Sequence, residues 1–368
     1  MLEHSDEDGS EYEDVDEDFT EVFDEDSDED SDEDVTRDVF LQALFTLGKL
    51  EPATLAQHAS FVVARLEETV PLVRKMALHT LAKLEPVTLA QYADAVVARL
   101  EDSVLIVRMV ALETLGKMES VTLAQHANAV IARLENSDFR VREMALKTLG
   151  KLEPATLAQY ASFVVARLEE TVPLVRKMAL HTLAKLEPVT LAQYADAVVA
   201  RLEDSVLIVR MVALETLGKM ESVTLAQHAN AVIARLENSD FRVREMALKT
   251  LGKLEPATLA QYADPVVSRL EDSGFFVRAA ALSTLRKLEP EALAQHASAV
   301  IPRLEDSNNY VRHAAFTTVD ALPLALIRDV DIESSDGRAR LLGRLAWYNY
   351  RLRVRVKRIA LYWYCLLY

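Results

Sequence analysis

The chain holds a single cysteine, Cys365, so no disulfide can form within it, and a reducing, intracellular setting (cytoplasmic or nuclear) is the expectation. Nine glycines leave few positions for special backbone conformations, and no Gly-rich phosphate loop or Gly-x-Ser-x-Gly turn is present. No apolar stretch reaches the roughly 20 residues that cross a bilayer. The first residues lack the basic region and apolar run of a secretory signal. Lys and Arg are missing before Arg37, and acidic residues are missing after Asp336. The net charge of −17 is therefore unevenly placed: residues 1–38 carry 21 acidic side chains against Arg37, while the other 330 carry 40 basic and 37 acidic ones. A body so close to neutral lacks the basic face that nucleic acid requires, so no specific nucleic-acid partner is expected.

What the chain has instead is a period. Leu-Ala-Gln recurs at Leu55, Leu89, Leu123, Leu157, Leu191, Leu225, Leu259 and Leu293, always 34 residues apart. A shift of 102 residues aligns Thr46–Ala161 with Thr148–Ala263, and these 116 positions differ only at His58/Tyr160. A fixed period of this size signals stacked supersecondary units, each needing its neighbours to bury its apolar face.

Ala53 to Pro86 represents the unit. Thr54-Leu55-Ala56-Gln57 matches the pattern of a capping box, so a helix is expected to start at the Thr. Leu55, Ala59, Val62, Val63 and Leu66 then fall at helical spacing and form one apolar stripe. After a turn near Thr69-Val70-Pro71, a second helix places Val73, Ala77, Leu81 and Leu84 on one face, with Lys83 in its last turn and Pro86 as its stop. Eight such helical hairpins fill residues 53–324, preceded by an opening helix at about Val39–Leu50.

A tetratricopeptide unit would show an early Trp-x-x-Leu-Gly, which is missing here. A Val-Arg pair opens every second helix, at Arg74, Arg108, Arg142, Arg176, Arg210, Arg244, Arg278 and Arg312. Six residues before each Arg stand Glu68, Asp102, Asn136, Glu170, Asp204, Asn238, Asp272 and Asp306. In this pattern the unit resembles HEAT repeats, over about three quarters of the chain. The resemblance implies an all-α solenoid, a right-handed superhelix of eight 34-residue repeats with an extra N-terminal helix. It also implies that the acidic/Arg pairs form a structural ladder between neighbouring repeats, for the Asp and Glu units; Asn136 and Asn238 carry no charge.

The same resemblance puts the second helices on an inner, concave wall. Their exposed positions vary where the core does not: Lys75/His79, Met109/Glu113, Glu143/Lys147, then the same sets as Lys177/His181, Met211/Glu215 and Glu245/Lys249. Those twelve residues are the candidate partner-binding set, and Ala279/Ser283 and His313/Thr317 take their places in the last two repeats. HEAT arrays serve as transport receptors, microtubule-binding modules and phosphatase scaffolds, which implies a monomeric, non-enzymatic scaffold or adaptor for a protein or peptide. An enzyme or enzyme subunit resembling the HEAT-type bilin lyases is the alternative, and it requires a pocket with convergent polar groups. His58, His126, His228 and His296 share one repeat position with Tyr92, Tyr160, Tyr194 and Tyr262, an exchange that a metal site does not tolerate, so no metal or cofactor is expected.

The ends differ from the array at residues 39–324. The acidic segment 1–38 is too charged to fold by itself and reads as disordered. Residues 325–368 combine Arg338, Arg340, Arg344, Arg351, Arg353, Arg355, Lys357 and Arg358 with both tryptophans, Trp347 and Trp363. Peripheral contact with a membrane surface, hence a membrane-surface adaptor, is one reading of this segment. Pairing with the acidic arm is another, as is sequence past the end of the domain.

Overall fold

The computed structural model describes residues 32–322, so most of the acidic segment and all of 325–368 lie outside the described residues. It forms two compact units, divided at Thr114/Leu115. Every regular element among the described residues is helical. The long helices are α1 (Asp32–Leu47), α2 (Pro71–Leu81), α3 (Leu105–Leu115), α4 (Phe139–Leu149), α5 (Pro173–Leu183), α6 (Leu207–Leu217), α7 (Phe241–Leu251), α8 (Phe275–Leu285) and α9 (Asn309–Val319). The division falls inside α3. In the first unit α1 packs on α2; in the second, α4 to α9 pack each on the next in chain order. This is the α-solenoid of 34-residue helical hairpins that the period implies. Its opening helix begins at Asp32 and ends at Leu47, earlier at both ends than the Val39–Leu50 read from the sequence.

The predicted first helix of each hairpin is broken. In the first repeat it comprises Pro52–Ala56, Ala59–Ala64 and a 3-10 turn at Arg65–Glu67. The apolar stripe survives the break, because Leu55, Ala59, Val62 and Leu66 are all fully buried while Val63 is half-buried. The capping box does not form. The N-cap is Glu51, whose side chain makes no cap hydrogen bond, and Pro52 takes the first turn, where its missing N–H costs nothing. Gln57 sits at the C-terminal end instead. Pro86 likewise opens the next hairpin rather than closing α2, which ends at Leu81 before Lys83 is reached. Where Ser120 and Ser222 replace this proline, their hydroxyls accept the backbone N–H of Glu153 and Glu255 one repeat later, at 2.7 and 2.8 Å.

An eleven-residue helix is marginal alone, so its stability comes from packing. Val175, Ala179, Leu180 and Leu183 of α5 are buried, as are their equivalents on α6, α7 and α8. Three polar ladders run through these stacks. In the first, Arg176 of α5 donates from Nε and Nη2 to both oxygens of Asp204, each at 2.7 Å. Its Nη1 donates to the carbonyls of Glu170 and Thr171 in its own turn. Arg74–Asp102, Arg244–Asp272 and Arg278–Asp306 repeat the two-bond arrangement. In the second ladder Arg201 donates to the carbonyl of Leu168 and pairs with Glu169, both in the preceding repeat. Arg167, Arg235, Arg269 and Arg303 do the same. Their charge is thus balanced across repeats, and not by the Glu two residues later in the same repeat. The third is a buried threonine ladder: Thr250 and Thr284 donate to the carbonyls of Leu214 and Leu248, while the hydroxyls of Thr182, Thr216 and Thr318 lie between the carbonyls of Leu146, Leu180 and Leu282 and a carbonyl four residues back in their own helix.

The Arg–acid rung weakens in a chemical order. Glu170 offers Arg142 one bond, at 3.1 Å, and leaves the buried Arg142 Nε without a partner. Arg210, facing the Asn238 repeat, also has a buried Nε with no partner. Asn238 Oδ1 accepts the Asp240 N–H, as Asp204 Oδ1 accepts the Val206 N–H. The Asn amide nitrogen then stands where Asp204 has its second oxygen, and a donor faces a donor. Burial opposes the charge on Asp204, but the bonds from Arg176 and the Val206 amide outweigh it and hold the carboxyl below its ordinary value. Asn238→Asp is therefore expected to stabilise the second unit by about 1 kcal/mol, and Asp204→Asn to destabilise it by about 3 kcal/mol. Denaturant midpoints check the order. The Asp204 contribution is present above the unfolded carboxylate pKa and is lost as pH falls through the lowered folded value, so Asp204→Asn flattens the acid limb of the stability profile. Equal acid limbs for the two proteins exclude the rung as the cause.

Candidate functional site

In the second unit four helices carry candidate residues in matching register: Glu143/Lys147 on α4, Lys177/His181 on α5, Met211/Glu215 on α6 and Glu245/Lys249 on α7. Each pair is four residues apart, so both members lie on one face of their helix. The first member of each pair is half-buried; Lys147, Glu215 and Lys249 are exposed and His181 is half-buried. In the first unit Lys75/His79 on α2 and Met109 and Glu113 on α3 are also half-buried. The face is therefore reachable by solvent, while the next positions on each helix, such as Leu180 and Leu214, are sealed in the core.

The charges are partly matched along the face. Glu245 and Lys249 pair on α7 at 2.7 Å, and Glu215 pairs with Lys219 at 3.8 Å. His181 is held neutral: burial lowers its pKa first, Lys177, Lys219 and Lys185 add to the effect, and Glu215 of the next helix opposes it. With Met211 adjoining in register, the centre of this face offers one apolar and one neutral polar side chain, ringed by lysines and Glu215.

Among the described residues, no three His, Cys, Asp or Glu side chains gather where they could hold a metal ion. His228 and His296 approach Asp196 and Asp264 of the preceding repeat at 3.9 and 4.0 Å. A depression of about 440 Å³ lies over Glu170, Arg176, Arg201, Glu203 and Asp204. It is wide open to solvent, and its polar lining is committed to the two arginine ladders. No described helix is long and apolar enough to cross a membrane.

The arrangement is that of a HEAT-repeat model, which matches residues 127–218, 195–286 and 229–322, together more than half of the chain. The chain belongs to the HEAT-repeat proteins. No curated protein matches it. The crystal structure of an engineered protein is similar at TM-score 0.53 and 15% identity, covering 83% of this chain and 94% of that one. The karyopherin Kap121p, solved with the extreme C-terminus of the protein phosphatase Cdc14p, is similar at TM-score 0.55 and 13% identity. That alignment covers 78% of this HEAT-repeat chain but only 36% of the karyopherin. At such identities the likeness concerns the fold.

One surface feature escapes a reading by repeat position alone. Phe241, Phe275, Phe276 and Tyr310 form a chain of rings at the starts of α7, α8 and α9, with centroids 4.1 to 6.4 Å apart. Phe241, Phe276 and Tyr310 are 40%, 49% and 68% exposed. Its signal was the Phe-Phe pair at 275–276, where earlier repeats have Pro-Leu, Leu-Ile or Phe-Arg.

The environment of His181 yields a direct test. Its imidazole is expected to titrate below the ordinary histidine value of 6.5 in an NMR pH series. Lys177→Gln raises the midpoint by removing a cation, and Glu215→Gln lowers it further by removing the one anion. Shifts of the opposite sign contradict the arrangement of the face.

Proposed function

We propose that this HEAT-repeat protein is a non-enzymatic scaffold that binds a protein or peptide on the second-helix face, which we place on the concave wall of the array. One observation carries the reading: in α4 to α7 the core and ladder positions stay nearly constant, while the solvent-reachable pairs change from helix to helix. A scaffold that fixes everything except one face encodes recognition there, as in other repeat arrays. The candidate contacts are Lys75, His79, Met109, Glu113, Glu143, Lys147, Lys177, His181, Met211, Glu215, Glu245 and Lys249. The karyopherin solved with a peptide supports the class of partner and nothing finer. The open depression with a committed lining supports binding over enclosure of a small substrate. The single Cys365 fits an intracellular site of action.

A random-peptide display selection on the full chain tests the proposal. Peptides recovered on the wild type are expected to lose about tenfold or more in affinity for Met211→Ala combined with Lys177→Glu, roughly the effect of 1.4 kcal/mol. They should tolerate Val223→Ala, which alters an exposed side chain outside this face. Peptides insensitive to the face substitutions, or lost equally with the control, sink the reading.

A further inference from the structure

The aromatic ridge groups exposed apolar side chains of the second unit in mutual contact, and it lies at the end of the array. The last repeat is also open on its outer side: Leu304 is half-buried, whereas its equivalents Leu236 and Leu270 are 1% exposed. Arg312 of α9 binds its own turn through Asp306 O and Ser307 O, but the residue 28 positions on, where earlier arginines find an acid, is Arg340. No further repeat of the same kind can therefore complete the rung. Yet 46 residues follow Leu322, and they carry Trp347, Tyr348 and Tyr350 beside Arg351, Arg353 and Arg355.

We propose that residues 323–368 dock back onto the ridge of Phe241, Phe275, Phe276 and Tyr310, as an intramolecular cover for the end of the array. Geometry makes this occupant the closest one. The chain leaves the described residues three positions after α9 ends at Val319, and α9 spans only about 16 Å from there to the Tyr310 end. The 25 residues from Leu322 to Trp347 reach several times that distance when extended. The chemistry also matches, since exposed ring faces attract other rings and guanidinium groups. The protein uses that contact elsewhere, with Arg65 over Phe40 and Phe61 at 4.1 and 4.7 Å. A second copy fits less well. Four partly exposed rings offer a few hundred square ångströms, against the roughly 800 Å² per partner of a stable complex. A tethered segment needs less, because its effective concentration is on the order of millimolar. Docked there, the segment competes with any outside partner for the rings.

Both tryptophans of the chain, Trp347 and Trp363, lie in this segment, so tryptophan emission, excited selectively over tyrosine, reports on it alone. The Trp363→Phe variant isolates Trp347. Its emission is expected to be blue-shifted and shielded from acrylamide, independently of protein concentration. Combining it with Phe276→Ala and Tyr310→Ala should shift the emission to the red and raise quenching several-fold. Phe163→Ala, at an equally exposed ring outside the ridge, should change neither. Phe276 and Tyr310 are exposed, so their truncation leaves the core intact, and unchanged far-ultraviolet dichroism verifies folding. The proposal is overturned if Trp347 quenches like a free indole in the wild-type background, or if the ridge substitutions leave its quenching unchanged. Protection that appears only at high concentration, or only with anionic vesicles, assigns the segment to a second copy or to a membrane and overturns it equally.

Discussion

The stacking of this protein rests on an arginine that must satisfy two repeats at once. Arg176 ties down the carbonyls of its own turn with Nη1 and grips Asp204 of the next repeat with Nε and Nη2. A planar guanidinium is the side chain that can point donors in both directions without rearrangement. The rung also fixes the loop it reaches, because Asp204 holds the Val206 N–H that leads into α6. Turn conformation, spacing between repeats and the start of the next helix are thereby one linked geometry.

The magnitudes separate registration from stabilisation. Leu180, Leu214 and Leu248 are fully buried, and truncating a core leucine costs about 2–5 kcal/mol. A buried ion pair is often no better than an apolar replacement, although breaking one side of it is expensive. The pairs of the second ladder involve Glu side chains about three quarters exposed, as at Arg201–Glu169, and contribute about 0–1 kcal/mol. The cohesion therefore comes mainly from the leucines, valines and alanines. The rungs penalise misaligned packing, since any slip would leave an arginine or an aspartate buried and alone. Arg142 and Arg210, each with an unpartnered Nε, mark junctions in the second unit where that penalty is already partly incurred.

Much of this was legible because the period repeats each clue. Eight Val-Arg pairs, six of them with an acid six residues earlier, are unmistakable, and the stripe from Leu55 to Leu66 predicted the buried side of the first segments correctly. The errors were local. Thr54 and Gln57 have the spacing of a capping box, but Pro52 favours a first turn, so the helix starts earlier, at Pro52 with Glu51 as its N-cap. The interruption near His58 carries no signal, because apolar spacing continues across a tight turn as it does through a helix. The threonine ladder was hidden for another reason. A threonine inside an apolar stripe reads as a neutral core residue until the Thr182 hydroxyl is seen beside a carbonyl 36 residues back. The candidate face was legible only as a list of variable positions; that His181 is held neutral between lysines and Glu215 needed the neighbouring helices in place.

The near-verbatim copying stops at Ala263, and the surface changes character beyond it. Up to there the second-helix face carries charged or sulfur-containing pairs. In α8 the pair becomes Ala279/Ser283, while the start of the same helix gains Phe275 and Phe276. Charge and sulfur are thus withdrawn from this face in α8, while exposed rings are added at the starts of α8 and α9. Exposed rings contribute little to the stability of a stack whose core is already complete, since Phe276 and Tyr310 remain about half or more open to water. Their grouping, in ring-to-ring contact at the surface, is what the proposed docking of residues 323–368 would use. The scaffold and the terminal edge therefore answer to different demands: the first to alignment between repeats, the second, on the proposed docking, to a contact outside the stack.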